Sequence, residues 1–365
     1  MPTSQFTIYS SDDPGAPILN GATGSLLSVL NGCLVTGYGS GPTYKAPIGW
    51  KKPFPDTGSR PGPNIVGAFT MPSGSGFTMF VNDGALGGVA FETSVTGWEV
   101  ILNPTGSIAG TYPTNVSSSV GGGRGQFPTP AQLLTTGRVV WRKSNAANMT
   151  PRPWKIFADG YTVYVFMATY DTLQTYYCGM FGDIFAYSNN DIFRCQIAGR
   201  TGDNAGAEYL DAFSNGNFGG SFVGNYSYMC VYPGHFMARS WQGFNGGSSI
   251  KIGKGGDLTK LSDYHNAGVY PMSGILTYPN PGDNSIYLSP VFVNEVQDTA
   301  GNQVGPWIRG HWRGWYHVCH AATNFSDGQI FQGSGEYAGR SFQIIKQGSN
   351  LGFWAMETSA TVDTN

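Results

Sequence analysis

The decapeptide HWRGWYHVCH, residues 311–320, gathers His311, His317, Cys319 and His320, three of the five histidines and one of the five cysteines of the chain. Neutral imidazole and thiolate are the ligands zinc prefers, and structural zinc takes four of them, commonly as two close pairs. On an extended strand alternate residues share a face, so His317 and Cys319 point one way and Val318 and His320 the other. Strict alternation also puts His311 and His317 on one face, but about 20 Å apart at the usual strand rise. One ion then needs a bend, which Gly310 and Gly314 allow, or distant ligands such as Cys230 and His235 in CVYPGH (230–235). The competing reading is an aromatic strand whose imidazoles pack beside Trp307, Trp312, Trp315 and Tyr316. A third gives a histidine a part in pH-sensitive assembly. The aromatic strand is the expectation: no metal and no cofactor, with His317, Cys319 and His320 left as the metal candidates.

Other catalytic chemistry finds little footing. A glycosidase needs two facing carboxylates, one with a raised pKa. Glu92 and Glu99 in FETSVTGWEV, and Asp183 and Asp191 around a strand pair, are available. Ordinary surface acids and turn residues explain them equally. Lys254 in GKGGD is followed by glycine where a phosphate-binding loop needs Ser or Thr, and PSGSGF (72–77) lacks the third glycine of a dinucleotide fingerprint. The G-x-S-x-G elbow of many serine hydrolases is absent.

The elements that would position these residues are mostly strands. PWKIFADGYTVYVF (153–166) is the clearest hairpin, with Asp159-Gly160 as a two-residue type I′ loop. Tyr161, Val163 and Val165 share one face, Thr162, Tyr164 and Phe166 the other. Both are largely apolar, which places the hairpin centrally. FQIIKQGSNLGFWAMET (342–358) reads as a second hairpin, and NSIYLSPVFVNEVQD (284–298) as a strand interrupted at Pro290. DIFAYSNNDIFRCQIAG (183–199) reads as two short strands around Asn189-Asn190.

Helix is scarce. In TGSLLSVLNGCLVTGYG (23–39), Leu26, Leu27, Leu30, Cys33 and Leu34 make one helical stripe, with Thr23 as N-cap and Gly37 just past the end. TPAQLLTTG (129–137) suggests a second short helix with Pro130 in its first turn. The N-terminal stretch has prolines at 2, 14 and 17, and its Phe6, Ile8 and Tyr9 form an apolar edge. Such an edge needs a strand partner, in the chain or on a neighbouring subunit, and these three residues are the interface candidates.

Composition sets the class. The chain has 365 residues, with 54 glycines, 14% aromatic residues, only 12% charged residues and a net charge of −2. A nucleic-acid partner needs a basic patch, which this balance lacks. The first residues show no signal-peptide pattern, and the longest apolar run, YTVYVFMATY, is strand-length, so no membrane span is expected. The five cysteines are read as reduced thiols. Many short strands joined by glycine turns point to a mainly β protein of antiparallel sandwich or barrel-like sheets with one or two short helices. The linker-like TYPTNVSSSVGGGRGQFPTP suggests a β-rich domain over 1–128, its helix near 24–36, and a larger β domain over 129–365. A single elaborated domain is the alternative.

IYSSDDPGAPILNGATGSLLSVLNGCLVTGYGS, RPWKIFADGYTVYVF, FGDIFAYSNNDIFRCQIAGRT, IYLSPVFV, GWYHVCH and GRSFQIIKQGSNLGFWAMETS occur in that order along nearly the whole chain. As a set they resemble a group of tailed-bacteriophage virion structural proteins. The resemblance implies a non-enzymatic component of the neck, tail or baseplate, made and assembled in the host cytoplasm. Its implied partners are other virion proteins and copies of itself, with no nucleic acid and no membrane. It brings no catalytic residues, and in its pattern the stretch matching 315–320 keeps both histidines but not the cysteine. A carbohydrate- or receptor-binding module reaching a host surface glycan is the alternative, and a polysaccharide depolymerase a further one.

Overall fold

The hairpin expected over 153–166 forms, and it lies at the centre of the chain's computed structural model. The structure describes residues 6–53, 65–84, 90–99, 126–127, 139–168, 176–201, 235–238, 251–253, 280, 282–283, 285–297, 303–318, 325–346 and 353–358. The hairpin strands are β7 (Trp154–Ala158) and β8 (Thr162–Ala168). Their turn falls one residue later than expected. Asp159 N donates to Thr162 O at 3.0 Å, which makes Gly160 and Tyr161 the central pair, and Gly160 does not adopt a positive φ. Asp159 Oδ1 is the cause: it accepts from Tyr161 N and Thr162 N, both at 2.7 Å. An aspartate that hydrogen-bonds the backbone ahead of it fixes the turn through its own side chain.

Every residue of β8 is buried. Val163, Val165 and Met167 enter one core; Tyr164, Phe166 and Ala168 enter another. The sheet around them runs β1 (Thr7–Ser10), β7, β8, β9 (Tyr176–Asp183), β11 (Cys195–Ala198), β13 (His235–Met237). A second sheet runs β12 (Arg200–Thr201), β6 (Val139–Arg142), β4 (Glu92–Trp98), β3 (Thr78–Asn82), β2 (Val66–Thr70), with β5 (Gln126–Phe127) beside β4. It contributes Phe69, Met79, Val81 and Trp141 to the first core. A third sheet runs β14 (Lys251–Gly253), β15 (Leu288–Gln297), β16 (Gln303–Val318), β19 (Phe353–Thr358), β18 (Ser341–Lys346), β17 (Ile330–Gln332), with β10 (Phe185–Ala186) beside β16. It contributes Trp312, Trp315, Trp354 and Met356 to the second core. The protein is thus mainly β, with the central sheet holding a core on each face. Strands from before and after residue 128 share sheets, since β1 pairs with β7 and β4 with β6.

The helical stripe also forms. The helix α1 (Ser25–Asn31) continues as a π-helical turn, Gly32–Thr36, and Leu26, Leu30, Cys33 and Leu34 are fully buried in the first core. Thr23 is not its cap. Gly24 holds the N-cap position at φ +81°, and the carboxylate of Asp83 accepts from Leu26 N at 2.8 Å and Leu27 N at 3.2 Å. A distant strand end thus satisfies donors that the helix leaves open. The second helix, expected over 129–137, lies outside the described residues.

The 342–358 hairpin is β18 and β19. The interruption at Pro290 appears as a register shift between Pro290 and Phe292. The two short strands of 183–199 form but do not pair with each other: β10 joins β16, and β11 joins β9.

The N-terminal edge finds its partner inside the chain. β1 pairs antiparallel with β7, from Thr7 opposite Ala158 to Ser10 opposite Lys155. Phe6 and Tyr9 are fully buried, one in each core, and Ile8 packs against the second core. Phe6 and Tyr9 therefore offer no surface to a neighbouring subunit, because alternate residues of a strand in a doubly covered sheet enter opposite cores.

Leu30 is fully buried in the first core, so Leu30→Ala is expected to lower the unfolding free energy by about 2–5 kcal/mol. Urea denaturation followed by tryptophan fluorescence measures this; an unchanged midpoint would take α1 out of the core.

Candidate functional site

The histidine-rich strand is β16, and two glycines shape it. Gly310 lets β10 approach, since a Cβ there would stand 2.1 Å from Phe185 O. Gly314 has φ +59°, and a Cβ on it would stand 2.3 Å from the Phe6 ring. Around Gly314 the strand bulges. One residue of β15 lies opposite four of β16, because Pro290 pairs with Tyr316 and Phe292 with His311. Trp312 and Trp315, three apart, consequently enter the same core, their rings 5.1 Å apart, while Tyr316 enters a third cluster on the outer face. Strict alternation from 311 to 317, the premise of the spacing argument, does not hold.

His311 is buried against β10 and the turn that follows it. Its ring centroid lies 5.0 Å from that of Phe185 and 5.6 Å from that of Tyr187, and Nδ1 is 3.2 Å from Tyr187 Oη. Burial, followed by the charges of Arg313 and Arg340, lowers its pKa to about 4, so the ring is neutral at pH 7. The backbone of His317 pairs with Ser289 and Trp354. Cys319 and His320, the other metal candidates, lie outside the described residues, as does Cys230; His235 belongs to β13. Among the described residues, no three His, Cys, Asp or Glu side chains are grouped to hold a metal. Cys33, Cys178 and Cys195 are buried, and burial pushes the pKa of Cys33 and Cys195 up.

The acids singled out as a catalytic pair are held by arginines. Asp191 receives Arg309 through Nε at 2.6 Å and Nη2 at 2.7 Å, and Arg309 also donates to Phe193 O at 2.9 Å. Asp183 accepts from Arg194 Nε at 2.8 Å and from Ser75 N and Oγ at 2.8 and 2.5 Å. Both carboxylates are almost fully buried. Their lone pairs are spent on fixing loops, Asp191 anchoring residues 187–194 to β16 and Asp183 holding the 72–76 turn. Glu92 lies opposite Arg142 in the β4–β6 pair.

The result is a shelf at the β10–β16 junction. Tyr187 N donates to Arg309 O at 3.0 Å, and the Tyr187 ring is half exposed above His311. Ser188, Asn189, Asn190 and Ile192 project to solvent beside it. Flat aromatic faces bordered by amides can stack on and hydrogen-bond a sugar. The pairing of Tyr187 with His311 spans 124 residues, so no local pattern could disclose it. No protein-family model matches the chain, and no curated protein matches it.

The unfolded chain returns His311 to about 6.5. It therefore binds more protons than the folded chain between about 4 and 6.5, and stability falls as pH drops through that window. His311→Gln, which keeps a polar partner for Tyr187, is expected to lose less stability than the wild type between pH 7 and 4.5, as read by urea midpoints. Parallel losses would remove His311 as the source.

Proposed function

We propose that this chain is a structural component of a tailed-bacteriophage virion, placed in the neck, tail or baseplate. It works through contacts with other virion proteins and with copies of itself rather than through catalysis. One observation carries the reading. Charged residues are only 12% of the chain, while Ile18, Tyr44, Met149, Tyr187, Ile192, Tyr287 and Ile308 are exposed among the described residues. Ile18 and Met149, 62% and 70% exposed, lie on connections joined by the Leu19–Arg152 bridge and by the bond from Gly21 N to Asn148 O. Interface cores are depleted in charge and enriched in aromatic residues and Met. The ordered motifs that resemble virion proteins support the same reading.

The shelf around Tyr187 supports a second one, a glycan-binding module on the tail. The anchored Asp183 and Asp191 fit a depolymerase less well, because a general acid must be free to give up its proton.

Image reconstruction of purified particles tests the first reading. Multiple copies are expected in symmetric positions, each burying well above the roughly 1,000 Å² that separates specific interfaces from chance contacts. Absence from particles would withdraw it. A glycan screen with wild type and Tyr187→Ala separates the second: binding lost in the variant would favour the glycan module.

A further inference from the structure

Asp83 follows β3 and Lys143 follows β6, with β4 between them. Both side chains are fully buried, and Lys143 Nζ contacts Asp83 Oδ1 directly. The pair is held on all sides. Thr93 Oγ1, from β4, donates to Asp83 Oδ1 at 2.9 Å. Leu26 N and Leu27 N donate to Asp83 Oδ2 at 2.8 and 3.2 Å. Lys143 Nζ donates to Ala22 O at 2.6 Å. The nearby Leu26, Leu27, Val81 and Ser144 are themselves buried, which excludes bulk water.

We propose that Lys143 and Asp83 condense to an intramolecular isopeptide bond. The step needs no outside reagent. A proton passes from the ammonium to Oδ1, leaving a neutral amine beside a carboxylic acid. The Nζ lone pair attacks Cγ, a C–N bond forms, and the carbonyl electron pair moves onto Oδ2. There the N–H groups of Leu26 and Leu27 already point, as donors must to stabilise a developing oxyanion. A second proton moves from nitrogen to Oδ1, with the Thr93 hydroxyl as the adjacent relay. The Cγ–Oδ1 bond breaks, Oδ1 leaves as water, and the amide carbonyl re-forms.

Burial raises the Asp83 pKa and lowers that of Lys143, with their mutual attraction opposing both, so desolvation favours the neutral forms that react. A desolvated lysine amine is a competent nucleophile. The product suits the site. Its single N–H keeps the Ala22 carbonyl, and its carbonyl keeps Leu26 and Leu27. A buried ion pair, by contrast, must offset two desolvation costs. The bond would join positions 60 residues apart and would cross-link the ends of β3 and β6 across β4. This inference does not depend on the virion reading.

The test is intact mass and peptide mapping of the purified full-length chain. A mass one water below that of the sequence is expected, with a branched tryptic peptide containing Asp83 and Lys143 and no cleavage after Lys143. Lys143→Arg and Asp83→Ala are each expected to restore the full mass. Asp83-Gly84 could also lose water as a succinimide, although Gly84 N is engaged by Asn82 Oδ1 at 3.1 Å. Hydroxylamine opens a succinimide and leaves an isopeptide intact. A full-mass chain cleaved after Lys143, or a water loss that hydroxylamine abolishes, would overturn the proposal whatever the variants do.

Discussion

A strand with no solvent face obliges the chain to build a layer on each side of it. β8 is such a strand: all seven of its residues are buried, and its two sets of alternate side chains are both apolar. The central sheet grown from the β7–β8 hairpin therefore has two faces to cover. α1 and the β2–β6 region cover one, and β15, β16, β18 and β19 the other. β1 feels the same constraint. Having joined β7 at the edge, it must send Phe6 into one core and Tyr9 into the other, which removes from the surface the residues that looked most available for assembly.

Among the described residues, several charges are used inside. Asp83–Lys143, Asp191–Arg309 and Arg340–Glu357 are buried ion pairs, and Asp159–Arg313 and Asp183–Arg194 are partly buried. Asp83–Lys143, Asp191–Arg309 and Asp159–Arg313 join segments 60, 118 and 154 residues apart, which no local interaction would bring together. Arg340 adds three aromatic neighbours, lying 5.1–5.7 Å from the ring centroids of Tyr316, Tyr337 and Phe342. Breaking one of these pairs would leave a buried charge uncompensated, whereas keeping it selects one arrangement of loops over its competitors.

The same economy bears on function. Asp183 and Asp191 are clamped by arginines, and His311 is held neutral by burial among aromatic rings. Beside His311, Tyr187, Asn189, Asn190 and Ile192 stay exposed.

Much of this fold was legible in residue patterns. Period-two alternation on both faces of 161–166, the stripe from Leu26 to Leu34, and the proline at 290 all report contacts between residues two to four apart, or a missing N–H. These act within a segment whatever lies around it. Other features needed partners far away in the chain. Asp83 caps α1, so Thr23 does not, whereas the one-residue shift of the hairpin turn is a local effect of the Asp159 side chain. Gly314 shifts β16 out of phase because Phe6 occupies the space a Cβ would fill. β10 leaves its sequence neighbour for the third sheet, and His311 meets Tyr187. The sequence by itself determined which segments become strands or helix and which sides of them are apolar, because those depend on local spacing. Only the tertiary structure decided which edges pair, which charges meet and where a strand bulges, because those depend on segments competing for the same space.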